Sequence, residues 1–226
     1  MFPHAGELAG MIDHTRLAPD TLPVDIRRAC QEARRYGFAS VCIPPCYVEE
    51  AVRELDGSEV AVCTVIGFPM GYQSLSVKIL EAMEAVKQGA VELDLVLHLG
   101  AVKMGNAYGV RTEVSRIRDA ASGARLKVIL ETGYLTRKEM VSACLWSREA
   151  GAIWVKTSTG FGPKGATAAD VRLLKKTIGK GGFVKAAGGI RDLKTLETMV
   201  QAGASRIGTS RGVEILKEYL RGPSRS

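Results

Sequence analysis

The chain has 226 residues, a formal net charge of +7 and 46% hydrophobic residues, with 25 Gly and 8 Pro. That composition excludes disordered, collagen-like and membrane-spanning classes, and a chain this long needs no disulfide or metal staple to bury a core. The positive surplus suggests an anionic partner but does not choose between nucleic acid and a phosphorylated small molecule.

Met1–Glu7 lacks a basic patch followed by an apolar run, so no signal peptide is expected. Apolar runs predict strands near 11–14, 39–43, 60–66, 91–97, 126–130, 152–156, 182–186 and 205–208. Most read as continuous apolar stretches, as in a parallel sheet covered by helices. Pro23 suits a first helical turn, and helical patterns follow at Ser74–Gln88, Val110–Ala121, Thr136–Ala150, Ala168–Ile178 and Asp192–Gln201. Thr136 with Glu139 forms a capping box. Gly37, Gly89, Gly151 and Gly203 each close a helical pattern just before a strand, at intervals of about two βα units. Seven repeats of about 28 residues separate Asp13 from Gly208. The expected architecture is a single-domain α/β (β/α)8 TIM barrel over 1–226, with a short N-terminal extension and a tail at 221–226. An open doubly wound sheet shares the local pattern, but eight units filling the chain favour closure.

Several local signals are set aside. Five scattered Cys, an odd number, argue against a secreted disulfide framework and for the cytoplasm. Cys42 and Cys46 have no clustered His or second Cys pair, so they read as buried free thiols and no metal is expected. Gly160–Gly165 is a literal G-x-G-x-x-G, but Pro163 interrupts it and Gly181-Gly182 stands where an acidic residue is wanted. No cofactor is expected. Basic pairs such as Arg27-Arg28 lie on many helices and read as solvated faces, so neither nucleic acid nor membrane is an expected partner.

In a barrel of this kind the chemistry sits at the C-terminal ends of the strands. Strand four carries Asp94 and runs toward His98, strand six ends in Lys156, and strand seven ends in Lys185. Two lysines on neighbouring strands disfavour being charged together, and a neutral amine attacks a carbonyl to give a Schiff base. Asp94 is placed to relay protons. The competing explanation pairs the lysines with Asp94, Glu92 or Glu131 as structural salt bridges. Gly188, Gly189, Gly208, Thr209 and Ser210, followed by a helix starting near Arg211 or Gly212, suit a phosphate. His14 and His98 lie near strand ends, where a ligand contact and a structural role are equally open.

The segments Val155–Phe161 and Val184–Arg191 closely resemble the deoxyribose-phosphate aldolase family. Further matches are Ile12–Leu17, Val41–Pro45, Gly67–Gly71, Glu92–Asp94, Lys127–Thr132 and Arg206–Ser210. The resemblance implies a metal-free class I aldolase that cleaves 2-deoxy-D-ribose 5-phosphate reversibly to acetaldehyde and D-glyceraldehyde 3-phosphate. It implies that Lys156 forms the Schiff base, that Lys185 tunes its pKa, and that Asp94 works with Lys185 in proton transfer. Thr15, Cys42 and Thr159 would contact the sugar, and Gly188, Gly189, Gly208, Thr209 and Ser210 the phosphate. A small sugar phosphate is the expected partner, with a homo-oligomer left open. His98 and Pro44 depart from the family's common Asn, and the C-terminus lacks the tyrosine that some relatives use. Another phosphorylated-sugar aldolase and a non-catalytic sugar-phosphate-binding barrel are the alternatives.

Overall fold

The computed structural model describes residues 2 and 4–222. Eight parallel strands close in sequence order into one barrel: β1 (Ile12–Thr15), β2 (Ser40–Ile43), β3 (Ala61–Ile66), β4 (Glu92–Val96), β5 (Arg125–Ile129), β6 (Trp154–Lys156), β7 (Phe183–Ala187) and β8 (Arg206–Thr209). β8 pairs back onto β1 in parallel, which rules out the open sheet. The helices are α1 (Ala5–Ala9), α2 (Pro23–Tyr36), α3 (Val48–Glu54), α4 (Leu75–Lys87), α5 (Leu99–Lys103), α6 (Ala107–Ala120), α7 (Arg137–Glu149), α8 (Ala168–Ile178), α9 (Leu193–Gln201) and α10 (Gly212–Arg221).

Local chemistry sets many of these boundaries. Pro23 opens α2, where a missing N–H costs nothing, and Gly37 ends it in the left-handed conformation at φ 69°. Thr136 and Glu139 make the expected capping box on α7, and Thr167 and Asp192 cap α8 and α9. α1 supplies the N-terminal extension and packs against α10, while Tyr219 Oη donates to Phe2 O at 2.9 Å. Arg221, expected in the tail, is helical and Gly222 caps α10, while 223–226 lie outside the described residues.

The main apolar core lies between strands and helices, with Leu93, Leu95, Val128, Val155, Val184, Ala186 and Ile207 facing outward into it. The barrel interior is different. It holds a small cluster of Cys42, Cys63 and Val65, together with buried charged side chains. The expectation of continuous apolar strands therefore fails for β4, β5, β7 and β8. Glu92-Leu93-Asp94-Leu95 and Val184-Lys185-Ala186 alternate, with the charged set turned into the barrel, as the two-residue period of a strand requires.

Candidate active site

Lys156 is the last residue of β6, and its Cα lies in register with Lys185 on β7. Lys185 is not at a strand end, as the sequence suggested; β7 continues through Ala187. The two ammonium groups meet on one carboxylate oxygen, Asp94 Oδ2, at 2.8 Å from Lys156 and 2.7 Å from Lys185. Lys127, on β5, donates to Asp94 Oδ1 at 3.0 Å and lies 2.8 Å from Glu92 Oε2. Asp13 lies 2.5 Å from Lys185 Nζ and 3.1 Å from Arg206 Nε. Arg206 also reaches Glu92 at 2.7 Å. Four buried cations thus share three buried carboxylates.

This network corrects the expected repulsion between Lys156 and Lys185. Burial alone would lower the Lys185 pKa, but Asp13 and Asp94 hold it well above the ordinary lysine value. Burial alone would raise Asp94, but Lys127, Lys156 and Lys185 hold it well below the usual carboxylate range. Asp13 is brought to about 2 in the same way, with Lys185, Lys127 and Arg206 overcoming the effect of burial. Lys185 is therefore held in its charged form, not as a depressed amine. Part of the salt-bridge explanation holds as well: Asp94 takes both lysines and Glu92 takes Lys127. Glu131 takes neither, and instead accepts from Thr159 N at 3.1 Å.

Above the network opens a cleft of about 290 Å³. Lys156, Thr15, Thr159, Gly188, Gly189, Gly208, Thr209 and Ser210 all line it. Asp94 and Lys185 lie beneath, fully buried. Gly188 and Gly189 are both left-handed, at φ 91° and 79°. A Cβ on Gly188 would lie 2.9 Å from Gly165 Cα, and a Cβ on Gly165 would lie 2.1 Å from Gly188 O. Gly165, the last glycine of the discarded G-x-G-x-x-G, thus lets the β6 loop pack directly on the β7 loop. Thr209 Oγ1 donates to Ile190 O and accepts from Arg211 N, so it holds the loop, while the exposed Ser210 faces the cleft.

Other expectations need correction. Cys42 does not line the cleft; it is buried beside Cys63, with Sγ 3.9 Å from Asp94 Oδ2. Cys46 is exposed, not buried. His14 Nε2 meets Glu32 Oε2 at 2.7 Å and His98 is exposed; neither lines the cleft. Cys42, Cys63 and Asp94 bring ligand-type atoms within 4.8 Å of one another. However, both Asp94 oxygens already accept from ammonium groups, and a metal cation there would face Lys127, Lys156 and Lys185.

Sequence reasoning missed Asp13, Lys127 and Arg206 as members of the site, and named Glu92 only as a candidate salt-bridge partner. The available signal was a charged residue at alternate positions of apolar strands, as in Ile12-Asp13-His14 and Leu126-Lys127-Val128. Arg191 was also missed; it lines the cleft and has no carboxylate partner among the described residues.

Residues 8–220 match the model of the DeoC/LacD family of aldolases. The chain belongs to that family. A deoxyribose-phosphate aldolase of Caldanaerobacter subterraneus subsp. tengcongensis is 49% identical over 94% of this chain and 93% of its own length. One of Methanothermobacter thermautotrophicus is 52% identical over 94% and 95%. The solved structure of a tetrameric deoxyribose phosphate aldolase from Aeropyrum pernix superposes with a TM-score of 0.91 at 38% identity, covering 97% of this chain and 93% of that one. Family membership agrees with an aldolase barrel that carries lysines in its interior.

Proposed function

We propose that this chain is a Schiff-base aldolase that reversibly cleaves 2-deoxy-D-ribose 5-phosphate to acetaldehyde and D-glyceraldehyde 3-phosphate. One observation carries the reading. Lys156 Nζ reaches the cleft with Asp94 Oδ2 as its single protein partner among the described residues, so its remaining valences face the ligand. The relatives' shared name supports the substrate.

Lys156 Nζ, once deprotonated, attacks the sugar's C1 carbonyl, and the carbinolamine loses water to give an iminium. Removal of the C3 hydroxyl proton turns that oxygen into the aldehyde of glyceraldehyde 3-phosphate. The C2–C3 bond breaks, and its electron pair flows into the iminium to leave an enamine. Protonation of the enamine at C2 and hydrolysis of the regenerated iminium release acetaldehyde. Asp94 Oδ2, touching both lysines, is the group through which protons pass. Gly188, Gly189, Gly208 and Ser210, with Arg191, face the phosphate end of the cleft. Thr15 and Thr159 line the sugar portion.

The free cysteines suit a reducing, cytoplasmic setting. The exposed Val77, Leu80 and Met83 of α4 offer an apolar surface for a second copy of the chain, in keeping with the tetrameric relative. No helix among the described residues is long and apolar enough to cross a membrane.

Borohydride added with acetaldehyde should leave a stable adduct on Lys156, located by peptide mass spectrometry and lost in Lys156→Leu. An adduct on another residue, or none, overturns the assignment. A donor panel separates the related aldolases: dihydroxyacetone replacing acetaldehyde would point to another sugar. Binding of the sugar phosphate without trapping or cleavage would leave only a binding barrel.

A further inference from the structure

One buried acid stands outside the ionic network and beside the cleft. Glu131 follows β5 and is 2% exposed, and it is the one non-glycine residue with positive φ among the described residues, at φ 53° and ψ 62°. A Glu in this conformation pays a steric penalty that a Gly would not, and such residues persist where the surrounding structure holds them. Its carboxylate explains what holds it. Oε2 accepts from both Thr159 N, at 3.1 Å, and the Thr159 hydroxyl in a very short contact. Its other oxygen, Oε1, is buried without a hydrogen-bond partner among the described residues. Gly162 makes room for it, since a Cβ there would lie 2.8 Å from the carboxylate.

The consequence falls on Thr159, which lines the Lys156 cleft. A carboxylate is acceptor-only, so the single hydroxyl hydrogen of Thr159 points to Glu131. Phe161 N donates to the same Oγ1 at 3.0 Å and occupies one lone pair. One lone pair remains, so the hydroxyl can meet a ligand only as an acceptor. We infer that Glu131 is a positioning residue that fixes the Thr159 hydroxyl as an acceptor for a hydroxyl of the bound sugar, and so favours a hydroxylated substrate over a bare aldehyde. This inference rests on the aldolase reading above.

Glu131→Leu and Thr159→Val test it, alone and combined, with steady-state cleavage of 2-deoxy-D-ribose 5-phosphate and borohydride trapping of acetaldehyde. Each single variant should raise KM for the sugar phosphate about tenfold. The double variant should be no worse than either, because both remove one device. Acetaldehyde has no hydroxyl to present, so trapping at Lys156 should stay within about threefold. Glu131→Gln, which keeps an acceptor oxygen for Thr159, should return KM to within about threefold of the wild type. Should the Leu variant not fold, Glu131→Gly suits the left-handed backbone and carries the same expectation. An unchanged KM, additive losses in the double variant, or a Gln variant as impaired as Leu would overturn the inference. A wild type that neither traps acetaldehyde nor cleaves the sugar would overturn the aldolase reading instead.

Discussion

Of the four lysines buried among the described residues, Lys78 and Lys156 differ most in how fully their N–H groups are satisfied. Lys78, on α4, lies outside the strand ring. It donates to Gly71 O at 2.6 Å, Val96 O at 2.9 Å and Glu113 Oε1 at 2.5 Å. Three N–H groups meet three acceptors, and Glu113 Oε2 is in turn held by His98 N at 3.1 Å. Nothing remains for a ligand, and the pair clamps the β3 and β4 loops to α4 and α6. Lys156, inside the ring, has one protein partner and an open side. Its neighbours Lys127 and Lys185 take up the carboxylates around it. Burial alone does not leave a lysine open to a ligand; incomplete hydrogen-bond satisfaction beside a cleft does, and the role proposed for Lys156 rests on that difference.

The sharpest way to break that contrast is at Lys78. Lys78→Met leaves the Glu113 carboxylate buried and two carbonyls without their donor. It should lower stability by about 3–5 kcal/mol in urea unfolding. The folded fraction should still trap acetaldehyde on Lys156. Adding Glu113→Leu should recover part of the loss, because an apolar pair replaces a stranded charge. A Lys78→Met protein as stable as the wild type, or one folded but unable to trap, would erase the distinction.

A smaller effect probes the ionic network. Asp13 has its pKa lowered from 3.8 to about 2, so the folded state favours its ionised form. The stabilisation it supplies is fully present above pH 3.8 and is lost as pH falls toward 2, amounting to about 2 kcal/mol. Asp13→Asn removes that dependence. The stability gap between wild type and variant should therefore narrow by about 1.5 kcal/mol between pH 5 and pH 2.5, and parallel urea titrations would contradict it.

The smallest effect lies far from either lysine. Thr136→Ala removes the side-chain half of the α7 capping box and should cost about 1 kcal/mol, with KM and kcat unchanged. A change in turnover would mean that the scaffold and site are less separable than the lysine comparison holds.

Much of the fold was legible because its signals are local. Thr136 with Glu139, Pro23 and the αL Gly37 each mark a boundary through backbone chemistry within a few residues. All eight strand positions emerged within a residue or two of those observed. Lys156 and Asp94 were legible as polar residues on apolar strands. Lys127 was passed over because, taken singly, it looks like any strand lysine. Pairing of β4 with β5 sets it opposite Asp94, and barrel closure brings Asp13 of β1 and Lys185 of β7 to the same cluster. Cys42 was misplaced for a related reason: adjacent position in sequence to a strand end does not tell how far below the cleft a side chain lies.

The sequence by itself determined the repeat, the helix caps, the strand positions and the residue types able to form a Schiff base. Those depend on interactions within about one turn or one strand. Tertiary structure alone decided that Lys185 is held as a cation, that Lys156 keeps an open side, and that Glu131 serves Thr159 instead of a lysine. The reason is electrostatic: the state of a buried charge is set by partners within a few ångströms in space, and here those partners are 28 to 172 residues away along the chain.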